Sequence, residues 1–275
     1  MRAENDTPAR APLDAAALRR AAVRPGGLWR EIEVVQSTGS TNADLLARAL
    51  TGEPEGVVLA AEEQRAGRGR MGRTWTSPPR AALTFSVLLK PAVPPARRGW
   101  LPLLTGVAVA AAVTEATGVD TKLKWPNDLL AGDAKLAGIL AEASGDAVVV
   151  GIGLNVSTEP AELPDPRPGA LPATSLRAAG ATALSRANLL LAILEGFERW
   201  YRTWQLAGGD PDRSGLRPEY TRLSATIGRT VRAELPGGQA LSGPAAGVDS
   251  DGRLLVRVSP GSEVAVAAGD VVHLR

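Results

Sequence analysis

Cysteine is absent from this chain, which excludes disulfides, thiolate nucleophiles and cysteine-built metal sites. Histidine occurs once, as His273. A catalytic triad or a histidine-built metal site therefore has no material, and His273, inside the last expected strand, reads as structural. Aromatic residues make up only 4% of a chain that is 44% hydrophobic, so aliphatic side chains must fill the core. A large charge excess is also missing. The net charge of +2 argues against a uniformly basic nucleic-acid coat. No uninterrupted apolar run reaches the ~18–20 residues of a membrane span, and no signal-peptide pattern opens the chain, so a cytoplasmic location with no membrane partner is expected. Lysine is scarce: four of the 31 cationic residues are lysines, and three of them (Lys122, Lys124 and Lys135) share one short stretch. That clustering suggests a place where a compact point charge is wanted.

The length predicts one large domain, or a large and a small one. Residues 1–28 read as an N-terminal extension, partly disordered, with a short helix over Leu13–Val23. It is too short for an ordinary helix-turn-helix domain. Strands are expected over Glu31–Gln36, Val57–Ala61, Leu83–Leu89, Thr121–Trp125, Lys135–Glu142 and Ala147–Leu154. Helices are expected after Ser40–Asn42, over Leu103–Thr117 up to Gly118, and over Asn188–Trp204. Gly208, Gly209, Pro211 and Gly215 mark the best boundary, which divides a domain of residues 29–217 from one of residues 218–275. Beyond it, strands over Thr230–Ala233, Gln239–Val248, Arg253–Val258 and Val264–Leu274 predict a small β-barrel.

The strongest chemical signal is an arginine–glycine segment. Arg65, Arg68, Arg70 and Arg73 alternate with Gly67, Gly69 and Gly72. Four guanidinium groups cannot neutralise one another, and glycine gives the backbone little reason to hold one shape. Such a segment is either a solvated basic turn or a loop, mobile when empty, that closes on phosphate through bidentate arginine contacts. It matches the dinucleotide fingerprint formally. However, Glu62–Arg65 separate it from the preceding strand, and Thr74–Pro79 cannot open a helix.

The second signal is Lys122-Leu123-Lys124-Trp125-Pro126-Asn127-Asp128. Alternation puts the two lysines on one strand face, and Asn127 and Asp128 then project from a turn. The plain alternative is an exposed strand end. Lys135 borders an apolar strand, where an unpaired ammonium is costly and an anion is called for. Gly138 allows close backbone approach. Gly151, Gly153 and Asn155 make either a bulged core strand or room for a flat apolar ligand. Positioned cations, rather than a covalent nucleophile, would carry the chemistry, as phosphoryl or nucleotidyl transfer requires.

Five segments keep one order and spacing: Ser40-Thr41-Asn42, Gln64-x-Ala66-Gly67-Arg68-Gly69-Arg70-x-Gly72-Arg73-x-Trp75, Lys124-Trp125-Pro126-Asn127-Asp128, Lys135-Leu136-Ala137-Gly138-Ile139-Leu140-x-Glu142 and Gly151-x-Gly153-x-Asn155. Together they resemble the biotin protein ligases. Gly247-x-Asp249-x-x-Gly252 and the closing Gly269–Arg275 resemble that family's C-terminal domain. The match runs from about residue 30 to 275 and resembles the ligase-only type without an N-terminal DNA-binding domain, so operator binding is not expected.

The resemblance implies an α+β fold: a mixed β-sheet flanked by helices, class II synthetase-like, with a small C-terminal SH3-like β-barrel. It implies formation of biotinyl-5′-AMP from biotin and ATP with Mg²⁺, then transfer of biotin to a lysine on the biotin carboxyl carrier domain of acyl-CoA carboxylases. By the same resemblance Lys135, Arg68 and Arg70 bridge the carboxylate and α-phosphate. Ser40, Thr41 and Gln64 bond biotin, and Gly138 and Gly153 line its slot. Arg70, Arg73, Trp75, Lys124, Asn127, Asp128 and Asn155 take the ATP side, with Trp75 and Asn127 at adenine. Lys124 and Asp128 orient phosphate, Mg²⁺ or the incoming lysine. Two alternatives stay open: a lipoate or octanoyl protein ligase of the same catalytic architecture, and a nucleic-acid-binding regulator that uses the arginine loop. Oligomeric state is not implied.

Overall fold

Strand residues alternate between the two faces of a sheet, and in this chain each face meets a different cover. A computed structural model of the chain describes residues 10–165, 170–182, 184–234, 240–259, 261–267 and 269–274. The larger unit contains α1 (Ala15–Ala22), β1 (Glu31–Val35), α2 (Thr41–Leu50), β2 (Val57–Ala61), β3 (Gly67–Arg68), β4 (Thr74–Trp75), β5 (Ala82–Leu89), α3 (Leu101–Thr117), β6 (Thr121–Lys124), β7 (Asp128–Ala131), β8 (Ala134–Ser144), β9 (Ala147–Asn155), α4 (Arg186–Leu206) and α5 (Leu216–Leu223). The smaller contains β10 (Thr230–Glu234), β11 (Ala240–Val248), β12 (Leu254–Ser259), β13 (Ser262–Val266) and β14 (Asp270–His273).

The main sheet runs β1-β2-β5-β9-β8-β7-β6. β1 and β2 are parallel and the other neighbours antiparallel, so the sheet is mixed, as expected. Val58, Ala60, Phe85, Val87, Val150 and Ile152 face the side covered by α3 and α4. Val57, Leu59, Leu88 and Val149 face α2 through Leu45. α3 is buried almost all round, which explains its lack of a polar stripe, and it ends on Gly118 in the left-handed conformation. By length and composition Pro95–Thr117 could cross a membrane, but here it is mostly buried in the core. The second sheet, β13-β12-β11-β10-β14, is antiparallel throughout and forms the SH3-like unit.

The structure departs from the sequence reading in four places. The helix expected over Leu13–Val23 is present as α1, but residues 10–12, expected to be disordered, are tied down. Arg10 pairs with Glu162 at 2.6 Å, the Leu13 amide donates to Glu62 Oε1 at 2.6 Å, and Leu18 is buried. Glu62 and Arg186 form a buried ion pair at 2.7 Å, and Arg186 also donates to the Ala11 carbonyl. Residues 1–9, the rest of the expected disordered stretch, lie outside the described residues. Asp128 does not project from a turn but begins β7, a short strand flanked by turns that apolar periodicity alone did not separate. α5 crosses the boundary expected at residue 217 and packs on α3 and β6, so it belongs to the larger unit. The strand expected over Val264–Leu274 is two strands, because Val266 and Asp270 pair with different neighbours, β12 and β10.

The two units meet mainly where side chains of the larger bond the 249–252 turn of the smaller, including an Arg97–Asp251 ion pair at 3.3 Å. Trp100 Nε1 donates to the Asp249 carbonyl and Trp125 Nε1 to the Gly252 carbonyl, each at 3.1 Å. A side chain at Gly99 would come within 2.2 Å of the Asp251 carbonyl oxygen.

Candidate active site

A cleft of about 630 Å³ opens on the α2 face of the sheet, a size typical of small-molecule sites. The register explains why it is there. Thr84 pairs with Gly153, Gly153 with Gly138, Gly138 with Asp128, and Asp128 with Lys124. One row across five strands thus carries two missing side chains in its middle and opposite charges at its end. A second row, Ser86–Gly151–Leu140, is similarly sparse.

The residues assigned to binding or chemistry from sequence line this cleft: Ser40, Thr41, Gln64, Arg68, Arg70, Arg73, Trp75, Lys124, Asn127, Asp128, Lys135, Gly138, Gly153 and Asn155. Lys122 and Arg65, from the lysine cluster and the arginine segment, are exposed and lie outside its lining. The lining residues arrive on the start of α2, the segment from Gln64 to Trp75, and strands β6 to β9 with their turns. Ser40 caps α2 through its hydroxyl and places Thr41 on the first turn. The arginine segment is a miniature hairpin, β3 against β4, around a turn in which Met71 has φ 55° and Gly72 φ 70°. Asn127 donates to and accepts from the backbone of Ile139. Asn155 Nδ2 donates to the Thr174 carbonyl at 2.8 Å, which buttresses the 170–173 wall.

The cations crowd one end. Lys135 Nζ lies 2.7 Å from Asp128 Oδ1, the anion its apolar surroundings call for. Burial pushes the Lys124 ammonium below its usual range. Asp128 opposes that shift, and Lys135, Arg73 and Arg70 add to it. Burial likewise lowers Arg70, against Asp128 and helped by Arg73. Arg70 reaches Asn127 Oδ1 at 3.3 Å and the Gly269 carbonyl at 3.5 Å. Positive charge gathered at partial burial, with Asp128 set among it, makes a site that a bound polyanion would relieve.

The opposite end is polar and neutral. The Thr41 amide donates to Gln64 Oε1 at 2.8 Å, and the Thr41 and Ser86 hydroxyls lie 2.7 Å apart. Gln64 Oε1 is thereby occupied, which leaves its amide group as a donor for the cleft.

Trp75 covers the slot itself. Its indole lies across both glycines: a Cβ on Gly153 would come within 2.4 Å of the ring, and one on Gly138 within 3.4 Å. The bare backbone of β8 and β9 at Gly138 and Gly153 offers a flat surface to the hairpin that carries Trp75. Its Nε1 is buried with no hydrogen-bond partner.

Sequence reasoning missed Ser86, which is buried beneath the cleft and bonds Thr41 and Asn42, as well as the 170–173 wall and the contribution of Val271, Val272 and His273 from β14. A serine inside the apolar run Ala82–Leu89 was a usable signal. The other two depend on long-range packing and carry no local one. Among the described residues no three His, Cys, Asp or Glu side chains gather as a metal site.

A family model described as the biotin/lipoate A/B protein ligase family matches residues 32–158, and one described as the biotin protein ligase C-terminal domain matches residues 226–274. The chain is 46% identical over 271 residues to a biotin–[acetyl-CoA-carboxylase] ligase of Mycobacterium tuberculosis, covering 97% of each chain. It is 35% identical to the bifunctional ligase/repressor BirA of Bacillus subtilis, over 83% of this chain and 69% of that protein. Among solved structures, the biotin protein ligase of Aquifex aeolicus in complex with biotin and ATP superposes with a TM-score of 0.75 at 26% identity. That match covers 90% of this chain and all of that one.

Proposed function

This chain belongs to the biotin protein ligase family, and we infer from that membership and the cation-rich cleft that it is an ATP-dependent biotin–[acetyl-CoA-carboxylase] ligase. It joins biotin to ATP, giving biotinyl-5′-AMP and pyrophosphate, and then passes the biotinyl group to a protein lysine, releasing AMP. The observation that carries this reading is the sheet row that ends in Asp128 and Lys124, with Lys135 2.7 Å from Asp128. It sets clustered cations beside a slot lined by glycine.

We propose the following division of labour. Carboxylate and triphosphate repel each other, so the first step needs cations shared between them. Lys135 sits where it can leave Asp128 and bridge the two anions. Arg68 and Arg70 come from the hairpin side and shield the mixed anhydride from water. Thr41 and Gln64, with Ser40 beside them, bond the polar head of biotin. The slot over Gly138 and Gly153 takes its apolar part once the Trp75 indole moves aside, and Trp75 with Asn127 then meets adenine. Arg73, Lys124 and Asn155 face the nucleotide. Asp128 is the carboxylate that would stand beside Mg²⁺ brought in with ATP, where the ion would offset triphosphate charge. The acceptor is a biotin carboxyl carrier domain and the compartment the cytoplasm, where ATP and carboxylases meet. We assign residues 10–223 to the catalytic unit and the remainder to the SH3-like unit.

The test is to incubate the protein with ATP, Mg²⁺, a carrier domain and either biotin or lipoate, and to weigh the carrier by mass spectrometry. The expected result is one biotinyl group per carrier and none from lipoate. Modification by lipoate alone would favour the sister activity covered by the same family model.

A further inference from the structure

We propose that Glu142 is a positioning residue: a built-in anion that holds the arginine hairpin in place until the substrate anions replace it. The proposal rests on the ligase reading for its consequence, but not for its structural basis. Glu142 extends from β8 with its two oxygens committed differently. Oε1 lies 3.5 Å from Arg68 Nη1, and Oε2 accepts from Asn42 Nδ2 at 2.8 Å.

The Asn42 contact fixes the carboxylate to the floor of the cleft. Asn42 Nδ2 also donates to the Leu140 carbonyl, so the amide nitrogen is spent and Oδ1 must accept. It does so from Ser86 Oγ at 2.6 Å. Ser86 Oγ, having given its proton, can otherwise only accept. The direction is therefore fixed from Ser86 to Asn42 to Glu142, and the Thr41 hydroxyl lies between two acceptors, Ser86 Oγ at 2.7 Å and Gln64 Oε1 at 3.0 Å. Asn42 cannot swing away cheaply. It fills the space left by Gly151, where a Cβ would come within 2.1 Å of Asn42 Oδ1. The far end of this chain bonds Gln64, so the first arm of the hairpin is anchored at two points, Gln64 and Arg68.

The Arg68 contact is weak by design of its surroundings. The arginine side chain is 45% exposed and the glutamate 27%, a setting where ion pairs hold loosely. A substrate phosphate offering bidentate, charge-assisted bonds outcompetes it. Glu142 thus keeps Arg68 near the cleft when it is empty and releases it on closure. It touches neither reacting atom.

The test uses E142Q, which keeps an acceptor for Asn42 but loses the charge, and E142A, which loses both. Hydrogen exchange of residues 67–75 is read in the ligand-free protein and again with biotin and ATP. In E142Q we expect exchange of the empty hairpin to quicken about two- to fivefold, with wild-type protection once both ligands are bound. The KM for biotin should rise by a similar factor, with a smaller change in kcat, and E142D should recover part of both. If E142Q matches wild type in the empty state while E142A does not, Glu142 is only a buttress for Asn42 and the proposal is wrong. A protein that makes no adenylate but whose empty hairpin still loosens in E142Q would overturn the ligase reading and leave the tether standing.

Discussion

His273 shows how burial turns a conventional residue into a pH-dependent one. Its side chain bonds Thr226 Oγ1 at 3.1 Å, and its pKa is lowered to about 4, first by burial and then by Lys124 and Arg229, with Asp133 opposing. The neutral ring is the form the fold keeps. Below the ordinary value of 6.5 an unfolded chain takes up a proton that the folded one refuses. Stability from this group is therefore complete above pH 6.5 and lost as pH falls toward 4. Melting temperatures at pH 7.5 and pH 5 should show the drop, and His273→Gln should flatten it. The sequence identified His273 as structural, but nothing around it in the chain announced Thr226 or Lys124 as neighbours. Lys135 was different, since an ammonium bordering an apolar strand demands an anion, and Asp128 supplies it. Residues whose local context creates a debt were legible, while residues whose partners come from another unit were not.

At the level of elements, the strands were the readable part. Val57–Ala61 matches its observed limits, and β5, β8 and β9 differ from expectation only at their ends. Alternating burial and flanking glycines are local signals, so they survive without tertiary context. β7 was lost because four residues between two turns give too short a pattern, and α5 because glycines and prolines around it read as linker. The arginine segment was expected as a solvated basic turn or as a loop mobile when empty. In the structure it folds into a short hairpin, with the Arg68, Arg70 and Trp75 contacts already described and two backbone pairs. Arg70→Gly removes contacts to Asn127 and Gly269 and one cation from the cleft. We expect free biotinyl-5′-AMP to escape about tenfold faster or more, the worth of one charge-assisted bond. Streptavidin blotting of a bystander protein in the reaction should reveal the leak, and unchanged bystander labelling would remove Arg70 from the clamp.

For the molecule as a whole, the SH3-like unit is part of the active-site wall and not an appendage. β14 lines the cleft, Gly269 meets Arg70, and the Asp249–Gly252 turn docks on Trp100 and Trp125. Gly99→Ala would press a methyl group into the Asp251 carbonyl, an overpacking cost of ~1–3 kcal/mol. Urea denaturation should register that loss, and activity should fall with the docking and not with the stability of the main sheet. Motif order along the chain gave the fold class and the cleft's membership, whereas the joint between units could only be seen in three dimensions.

The central claim is that clustered cations let two anions meet. Its most direct measurement is biotin-dependent pyrophosphate release from ATP and Mg²⁺ by the wild-type protein and by Lys135→Ala. The account predicts release that requires biotin in the wild type and falls by roughly 10²–10³-fold in the variant, the scale of one lost charge-stabilising group. Equal release by the two proteins would contradict it.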